Sequence, residues 1–333
     1  MVFKYKKNRA FIKIKFIDFY PTFDIYDNFF VRVLSEKYHI QVLDIVADEV
    51  PDFIFYSFWG YEHLKYDCLK IYWTGENDVP DFNECDYAIS CHYLQFGDRH
   101  LRMPYYYGLK SFDDLLLNSS FGHYTSDMAH RPFASIVVSN MEWGDPFRTQ
   151  VFEIINEYKS VASGGKWNNT IGGPVHDKNE FISRYKFNIA CENSMVDGYT
   201  TEKIVEPFVA HTVPIYWGNK DIEKEFNPES YININDFDSL DSAVAYIKRV
   251  DSDNDLYMKI LSAPKLLKTS EINWKKLFLD FVEYALEHPN RITKYGGIVQ
   301  RNLDKKLYSE IIDNQCCKFI LKCERKLRKI VGK

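Results

Sequence analysis

The 333-residue chain lacks any long apolar run and any excess of positive charge. Its first residues, MVFKYKKNRAFIKIKF, alternate polar and apolar side chains, which predicts a strand rather than a signal peptide or a membrane anchor. A formal net charge of -5 argues against general nucleic-acid binding, because that function usually needs a basic face. These absences predict a cytoplasmic protein. The chain has 46% hydrophobic residues, which are enough for a substantial core.

The sequence also lacks the short motifs of several common site types. Its seven cysteines are an odd number without a Cys-x-x-Cys pair, so reduced thiols are expected rather than a disulfide framework or a zinc site. No Gly-x-Gly-x-x-Gly follows a strand, and SGGKWNNTIGG has neither the spacing nor the lysine of a P-loop. Asp-x-Asp triplets occur at 236–238 and 251–253, where the surrounding polar residues predict solvated turns rather than a metal site.

Strand-like and helix-like runs alternate along most of the chain. This alternation predicts the α/β class, with parallel sheets covered by helices on both faces. The expected strands are AFIKIKFIDFY, IQVLDIV, DFIFYSFW, LKIYWTG, YAIS, FASIVVSN, FNIACEN and VPIYWG. Helices are expected at 29–38, 146–158, 203–211, 239–250 and 275–288. Residues 109–132 lose this periodicity, so we expect domains at 1–130 and 131–297, followed by a tail at 298–333.

The most informative stretch spans residues 187–219, FNIACENSMVDGYTTEKIVEPFVAHTVPIYWGN. Polar side chains gather where its first strand ends and its helix begins, which is where ligands bind in open α/β sheets. The free N–H groups of a helix N-terminus favour an anion such as a diphosphate. Lys203 in the first helical turn opposes the helix dipole, and a bound anion would compensate for that.

This stretch resembles the signature of the α1,3/4-fucosyltransferases, glycosyltransferase family 10, and most closely its bacterial members. FNIACENS, GYTTEK and VPIYWG match three successive parts of the family pattern. The resemblance continues in YWTGENDVPDF, CDYAIS, DRHLRMPYYY, FASIVVSN, YKSVASGG and EFNPESYININDF, and covers most of residues 10 to 290. It implies the GT-B fold, in which two doubly wound Rossmann-like domains face each other across a cleft.

The resemblance also implies an activity. An inverting enzyme would move L-fucose from GDP-fucose to a hydroxyl of N-acetylglucosamine, or of glucose, in a lactosamine-type glycan, and would make Lewis-type α1,3 or α1,4 linkages. The second domain would hold GDP-fucose and the first would hold the acceptor. No cofactor is expected to be required, and a divalent metal would be at most stimulatory. A GT-B enzyme for another nucleotide sugar and an inactive glycan-binding module remain alternatives.

The departing nucleotide diphosphate needs positive charge, which Lys203 and Arg148 can supply. Arg148 in DPFRTQVF opens another helix and matches a family arginine, and its planar guanidinium suits phosphate oxygens. The alternative for Arg148 is an exposed helix residue. The resemblance implies that Glu202 binds sugar or ribose hydroxyls and that Asn193 and Tyr199 line the donor pocket.

Two glutamates are candidate catalytic residues. Glu192 ends an apolar strand and is a candidate to oppose the positive charge that develops on fucose, the alternative being a cap for the neighbouring loop. Glu76 in YWTGEN follows a strand of the first domain, matches a family glutamate, and is the first choice for the general base. Some bacterial relatives have a glutamate where this chain has Tyr93, a poor base at neutral pH, which leaves His92 as the second choice.

The acceptor is expected to contact the first domain through Trp59, Tyr61, His92 and Tyr93. The tail differs from the remainder of the chain, because residues 318–333 contain seven basic residues and one acidic residue. A basic amphipathic helix there would contact anionic lipid at the inner face of the membrane. The alternatives are a tail that packs on the body and a tail without fixed structure.

Overall fold

The computed structural model describes residues 11–118, 124–267 and 273–291. The strands are β1 (Phe11–Ile17), β2 (His39–Val42), β3 (Phe53–Tyr56), β4 (Leu69–Trp73), β5 (Tyr87–Ser90), β6 (His100–Arg102), β7 (Ala134–Ile136), β8 (Val161–Ser163), β9 (Phe187–Cys191), β10 (Val213–Trp217) and β11 (Ile232–Asn233). The helices are α1 (Phe29–Ser35), α2 (Lys110–Asn118), α3 (Phe147–Tyr158), α4 (Lys178–Ser183), α5 (Glu202–Val209), α6 (Leu240–Ser252), α7 (Asn254–Ser262) and α8 (Trp274–Glu287).

The strands form two parallel sheets. The first has the order β2-β1-β3-β4-β5-β6 and the second the order β11-β10-β9-β7-β8. The strand order reverses between β1 and β3 in the first sheet and between β7 and β9 in the second, which creates a topological switch point in each. Ligand crevices open at such points, beyond the carboxyl ends of the strands. The expected α/β class with two doubly wound sheets is confirmed.

Both faces of each sheet are buried, which explains the nearly continuous apolar runs of the strands. In β3, Phe55 packs on Phe30 of α1 with ring centroids 4.5 Å apart, while Tyr56 belongs to a smaller cluster on the opposite face. In the second sheet, Ile189 and Ile215 pack in one cluster with residues of α3, α6 and α7. The other face of this sheet packs against α5.

Helix α8 packs on the first sheet, which differs from the expected second-domain extent of 131–297. Trp274 and Phe278 contact Phe29 of α1, with ring centroids 4.8 Å and 5.0 Å apart. The Tyr87 hydroxyl of β5 also donates to the His288 carbonyl at 2.7 Å. The apolar stripe of α8 predicts a buried helix face, but periodicity does not say which sheet the face will cover.

The segment expected to be irregular at 109–132 contains α2. Phe112 and Leu115 of this helix are buried in the same cluster as Phe208 of α5, so α2 connects the first domain to the second. Beside it, the Tyr106 and Phe226 rings lie 5.2 Å apart. A packed apolar interface therefore joins the two sheets.

An ion pair accompanies this apolar interface. The Arg102 guanidinium at the end of β6 donates to Oε1 of Glu225, a second-domain residue, at 2.6 Å. Among the described residues, no helix is long and apolar enough to cross a membrane. The expected basic tail at 298–333 lies outside the described residues.

Candidate functional site

A cavity of about 250 Å³ lies between the carboxyl ends of the two sheets. The first domain contributes residues that follow β1 and β3 and residues around the end of β4, and the second contributes the start of α5. The first-domain residues are Tyr20, 57–59, Trp73, Gly75, Glu76 and Tyr105. The second-domain residues are Tyr199, Thr201, Glu202 and Lys203. We call this space the reaction cavity.

Glu76 joins the two walls of the reaction cavity. Its Oε2 accepts hydrogen bonds from the Tyr199 hydroxyl at 2.8 Å and from the Asn193 amide at 3.2 Å. Next to it, the Asn77 amide donates to the Ser194 hydroxyl at 3.0 Å. The glutamate chosen from sequence as the base is therefore brought together with two of the predicted donor residues.

Burial raises the pKa of Tyr199, and the Glu192 and Glu76 carboxylates raise it further. The Tyr199 hydroxyl thus stays protonated and donates to Glu76. This hydrogen bond fixes the direction of the Glu76 carboxylate within the cavity.

Glu192 follows β9 and has no exposed surface. Its Oε1 accepts from the Thr201 backbone N–H at 2.8 Å, and its Oε2 accepts from the Thr201 hydroxyl at 2.6 Å. Burial raises the pKa of this carboxyl, which Lys203 and Thr201 oppose. This geometry corresponds to the capping alternative, because both carboxylate oxygens bind the start of α5 and the side chain is enclosed.

Lys203 lies at the cavity in the first turn of α5. Its Nζ is 3.1 Å from the Thr201 hydroxyl, 3.2 Å from Glu202 Oε1 and 3.5 Å from Glu192 Oε2. Burial alone would lower the pKa of Lys203, but the two carboxylates raise it well above its usual value. Burial would likewise raise the pKa of Glu202, and Lys203 and Lys178 instead lower it to about 2. Lys203 and Glu202 are thus held as ions.

Arg148 is buried in the first turn of α3, with 2% of its surface exposed, so the alternative of an exposed helix residue is wrong. Its Nε and Nη1 have no hydrogen-bond partner within the described parts of the chain. Arg148 lies close to Cys191, the last residue of β9. Burial raises the pKa of the Cys191 thiol to about 12, and the positive charge of Arg148 opposes that rise. A buried guanidinium with free N–H groups is costly, and a bound anion would remove that cost.

A glycine makes room for this guanidinium. A Cβ at Gly144, in the loop before α3, would lie 2.1 Å from Arg148 Nη1, so a larger residue there would force the guanidinium to shift. The same loop is tied to the segment after β9, because the Asp145 N–H donates to the Asn193 carbonyl at 2.7 Å. A wider cavity of about 610 Å³ adjoins it, lined by Phe147, Trp217, Lys220 and Asn235 among others.

The predicted acceptor residues are not all in the reaction cavity. Trp59 lines it and is 50% exposed. Tyr61 is 44% exposed on the same loop. His92 is buried at the end of β5, where Nε2 lies 3.1 Å from the Asn77 side-chain oxygen, and burial lowers its pKa. Tyr93 is exposed, with the Arg102 guanidinium 4.2 Å above its ring.

The loop that carries Trp59 is fixed to the end of β1. Asp18 has a positive φ of 57°, and its carboxylate accepts from the backbone N–H groups of Glu62 and His63 at 3.1 Å and 2.9 Å. The His63 ring, which is buried, lies with Nδ1 2.7 Å from Asp18 and Nε2 3.3 Å from Glu84. Burial lowers the pKa of His63, but the two carboxylates raise it overall.

Several cavity residues were missed by the sequence analysis, mainly Tyr20, Trp73, Tyr105 and Thr201. The strongest sequence signal for one of these residues, Tyr105, was Gly75 in YWTGEN. A Cβ at Gly75 would lie 2.6 Å from the Tyr105 ring, so this glycine lets the aromatic ring reach the cavity. Thr201 carried the N-cap signal of a threonine directly before a helix, since its hydroxyl accepts from the Lys203 N–H.

Within the described ranges, no group of three His, Cys, Asp or Glu side chains could hold a metal ion. Cys68, Cys85, Cys91 and Cys191 are free thiols. Asp251 does not lie in a solvated turn as expected. Its carboxylate is 5% exposed and pairs with Lys159 and Lys186, each at 2.9 Å, because the end of α6 packs against β9 and α3.

Two family models match the chain. The α-(1,3)-fucosyltransferase FucT N-terminal domain matches residues 14–108, and the C-terminal model of glycosyltransferase family 10 (fucosyltransferase) matches residues 129–278. A solved α1,3-fucosyltransferase with GDP is 30% identical, with a TM-score of 0.74 over 86% of this chain and 94% of that one. The chain belongs to glycosyltransferase family 10.

Curated members of family 10 are similar over part of their length. The α-(1,3)-fucosyltransferase FucT of Helicobacter pylori is 36% identical over 262 residues, which are 69% of this chain and 54% of the relative. The mouse 4-galactosyl-N-acetylglucosaminide 3-α-L-fucosyltransferase 9 is 33% identical over 173 residues, 51% of this chain and 46% of the relative. The family 10 chain thus spans about half the length of these relatives.

Solved structures also fix the fold of this family 10 chain. An α1,3-fucosyltransferase with GDP-fucose matches with a TM-score of 0.73 at 29% identity. Anabaena HepE with UDP-glucose, at 10% identity and a TM-score of 0.50, is similar in fold alone. The GT-B fold expected from the sequence is confirmed.

Proposed function

We propose that this family 10 protein is an inverting fucosyltransferase that moves L-fucose from GDP-fucose to a hydroxyl of a lactosamine-type glycan. The observation that carries the proposal is the reaction cavity, where Glu76 on one wall faces the Lys203 ion cluster on the other. An acid–base group and a fixed positive charge on opposite walls are what sugar transfer from a nucleotide diphosphate needs.

The diphosphate of the donor would bind between α3 and α5. Arg148 offers two N–H groups without a partner in the described structure, and Lys203 offers an ammonium group at the N-terminus of α5. Both lie beside the switch point of the second sheet, where the strand order reverses between β7 and β9. The wider cavity beside Phe147 would then take the nucleoside.

The acceptor hydroxyl would approach from the first domain. As its oxygen attacks the anomeric carbon of fucose, its proton passes to the Glu76 carboxylate, and the bond from fucose to the diphosphate breaks. The electron pair of that bond leaves on GDP, where Lys203 and Arg148 stabilise the charge. Attack from the face opposite the leaving group inverts the anomeric configuration.

The role of Glu192 is structural in this scheme. Its carboxylate would hold Thr201 and the first turn of α5, so that Lys203 and Glu202 meet the donor in a fixed geometry. Asn193, Tyr199 and Glu202 are proposed to contact the fucose or the ribose. No cofactor is proposed as necessary, with a divalent metal at most stimulatory.

The acceptor sugar is proposed to be N-acetylglucosamine or glucose, and the product an α1,3 or α1,4 linkage. Trp59 is proposed to stack on the acceptor, and Tyr61 to border it. The His92 ring is proposed to support the segment that carries Glu76 through its contact with Asn77. Tyr93 stays a predicted acceptor contact.

The test combines calorimetry with a turnover assay of the intact protein. GDP-fucose, GDP-mannose and UDP-galactose are titrated separately, and release of nucleotide is followed with and without a lactosamine acceptor. The proposal expects tight binding of GDP-fucose and acceptor-dependent release of GDP. Binding without turnover would indicate an inactive glycan-binding module, and preference for another nucleotide sugar would indicate a different transferase.

We further propose that the basic residues at 318–333 give peripheral contact with anionic membrane on the cytoplasmic side. The support is the composition of this segment, which contains seven basic residues and one acidic residue. Binding to anionic vesicles should fall as salt rises, because salt screens such attraction. Binding that is absent, or independent of salt, would contradict this proposal.

A further inference from the structure

Three polar side chains connect to one another inside the interface between the two domains. Arg102, the last residue of β6, donates from Nη2 to Glu225 Oε1 at 2.6 Å and to the Gly198 carbonyl at 3.3 Å. Glu225 Oε1 also accepts from the Asn219 amide at 3.1 Å. We call Arg102, Asn219 and Glu225 the polar layer. The described lining of the reaction cavity includes none of them, so they would act on a ligand there only through their neighbours.

Gly198, which directly precedes the cavity residue Tyr199, is fixed by the polar layer and by the first domain. Its N–H donates to Asn219 Oδ1 at 2.8 Å, and its carbonyl accepts from Arg102. A Cβ at Gly198 would lie 2.5 Å from the Cys91 carbonyl, directly after β5, and a φ of 86° also favours glycine. The backbone of the second domain therefore approaches a strand end of the first domain at this glycine.

The residues after Gly198 extend this fixed geometry to the reaction cavity. The Asn219 amide donates to the Thr200 hydroxyl at 3.0 Å, and Thr200 has no exposed surface. Tyr199, between these two held residues, is 1% exposed, and its hydroxyl donates to Glu76 Oε2 at 2.8 Å. The polar layer thus holds the residues on both sides of Tyr199, which limits the directions that its ring can take.

Apolar contacts already join the two domains around the polar layer, as the Tyr106 and Phe226 rings do. Apolar burial is non-directional, whereas hydrogen bonds fix distances and angles. A largely buried ion pair adds little stability over apolar side chains of similar size, because both charges lose their water. Arg102 Nε also has no hydrogen-bond partner in the described parts of the chain, which adds to that cost. Orientation therefore explains the pair of Arg102 and Glu225 better than stability does.

We infer that Arg102 and Glu225 are positioning residues that orient Tyr199. By holding Gly198, they keep the Tyr199 hydroxyl on Glu76. This inference rests on the proposed fucosyltransferase function, in which Glu76 takes the proton of the acceptor hydroxyl. Arg102 comes from the first domain and Glu225 from the second, so the pair also ties the direction of the base to the contact between the domains.

The kinetic experiment is a double-mutant cycle of Arg102→Met and Tyr199→Phe, assayed with saturating GDP-fucose and lactosamine acceptor. Arg102→Met should lower kcat by about tenfold or more, since a misplacement of about 1 Å in a reaction site can cost about 100-fold. In the Tyr199→Phe background, the same substitution should lower kcat by less than about twofold, because the hydroxyl that Arg102 orients is already missing. An equal loss in both backgrounds would overturn the inference.

A further variant separates positioning from stability. Arg102→Met alone leaves Glu225 largely buried without the guanidinium that lies 2.6 Å from it, and it should unfold at lower urea concentration. Adding Glu225→Met removes this unpaired charge and should restore most of the stability. In this double variant kcat should stay low, because the Gly198 carbonyl still lacks its donor. Recovery of kcat together with stability would indicate a structural role alone and overturn the inference.

Hydrogen exchange reports on the segment without any turnover. In Arg102→Met the amides of residues 198–200 should exchange severalfold faster than in the intact protein, because their local opening becomes easier. Lys186→Met is the matched control, since it breaks another buried ion pair, with Asp251, directly before β9. It should lose stability but keep kcat and the exchange of this segment.

Unchanged exchange of residues 198–200 in Arg102→Met, or the same acceleration in Lys186→Met, would overturn the inference. If the intact protein binds GDP-fucose without transferring fucose, the proposed function fails. The exchange result then still decides whether Arg102 holds the segment that carries Tyr199.

Discussion

The two walls of the reaction cavity differ in how their side chains are held. The second-domain wall carries ions that are largely buried and paired with one another, as Lys203 is with Glu192 and Glu202. The first-domain wall carries partly exposed rings such as Trp59, together with one exposed carboxylate, Glu76. Burial strengthens electrostatic interactions, so the buried ions of the second-domain wall suit a highly charged donor.

The exposed rings suit a different ligand. The proposed acceptor glycan is uncharged and must enter and leave, so it needs surface contact rather than buried ions. Each wall thus matches the charge of its proposed ligand, and the two walls meet at Glu76. Substitutions on the two walls should therefore affect different measurable constants.

The largest effect is expected for Glu76→Gln, which keeps the shape of the side chain but removes the base. Turnover should fall by about 10²–10⁴-fold, the usual contribution of a positioned general base. GDP affinity, measured by calorimetry, should change little, because Glu76 belongs to the first-domain wall, where the acceptor is proposed to bind. Glu49→Gln, at an exposed glutamate of the same domain, is the control. Full activity of Glu76→Gln with loss of activity in His92→Ala would move the base to the end of β5.

Arg148→Met and Lys203→Met should separate a free buried cation from a paired one. Each should weaken GDP binding by about 1.5–3 kcal/mol, the range for a hydrogen bond to a charged group. Their effects on unfolding should differ. Lys203→Met removes the ammonium group that lies 3.5 Å from Glu192 and 3.2 Å from Glu202, so this variant should be destabilised. Arg148→Met removes a guanidinium that has free N–H groups in the described structure, so it should lose less stability.

Calorimetry with GDP and urea unfolding check this pair. Unchanged GDP affinity in both variants would reject the diphosphate site between α3 and α5. Equal loss of stability in the two variants would mean that other groups stabilise the Arg148 charge when no ligand is bound.

Glu192→Gln tests the capping role. The variant retains one acceptor oxygen but loses the charge that faces Lys203 and one of the two bonds to Thr201. Stability should fall by about 1–3 kcal/mol, because a buried hydrogen bond is lost. Urea unfolding measures this, with the exposed Glu223→Gln as control. A variant of normal stability with turnover as low as that of Glu76→Gln would restore Glu192 as a catalytic residue.

Trp59→Ala should affect only the binding of the proposed acceptor at the first-domain wall. Loss of one stacking ring is worth about 0.5–1.5 kcal/mol, so the KM for the acceptor should rise severalfold. GDP affinity and stability should stay as in the intact protein, since the side chain is half exposed. A parallel loss of GDP affinity would show that the two walls are not separate in function.

The smallest effect is a pH dependence of stability that comes from His63. The Asp18 and Glu84 carboxylates raise the folded-state pKa of His63 against the opposing effect of burial. Its contribution to stability is therefore fully present below its unfolded-state pKa, about 6.5, and is lost as pH rises through the folded-state pKa. His63→Gln should remove this decline in urea unfolding, whereas His130→Gln, at an exposed histidine, should keep it.

Much of the fold follows from local patterns in the sequence. The β3, β9 and β10 strands are short apolar runs between polar segments, and α3 and α6 show helical periodicity. The partner of α8 could not be predicted, because an apolar stripe does not identify the surface it will cover. Strands as short as β6 and β8, of three residues each, are too brief to give a periodic signal.

The candidate site was predictable where residue type and position both carry information. The signature around Glu202 and Lys203 located the start of α5, and YWTGEN located Glu76. The capping geometry of Glu192 and the burial of Arg148 depend on contacts between β9, α3 and α5, which are distant in sequence. Tyr20, Trp73 and Tyr105, which line the reaction cavity, likewise come from three separate segments that only folding brings together.

The return of α8 to the first sheet has a consequence for exchanging halves between relatives. A chimaera joined within 109–132 would place a foreign α8 against Phe29 and Phe30, where ring shapes must match. A fragment of the second half alone would expose the face of α5 that α2 covers. Neither half is thus a self-contained module, and acceptor specificity should transfer only when the first half and α8 move together.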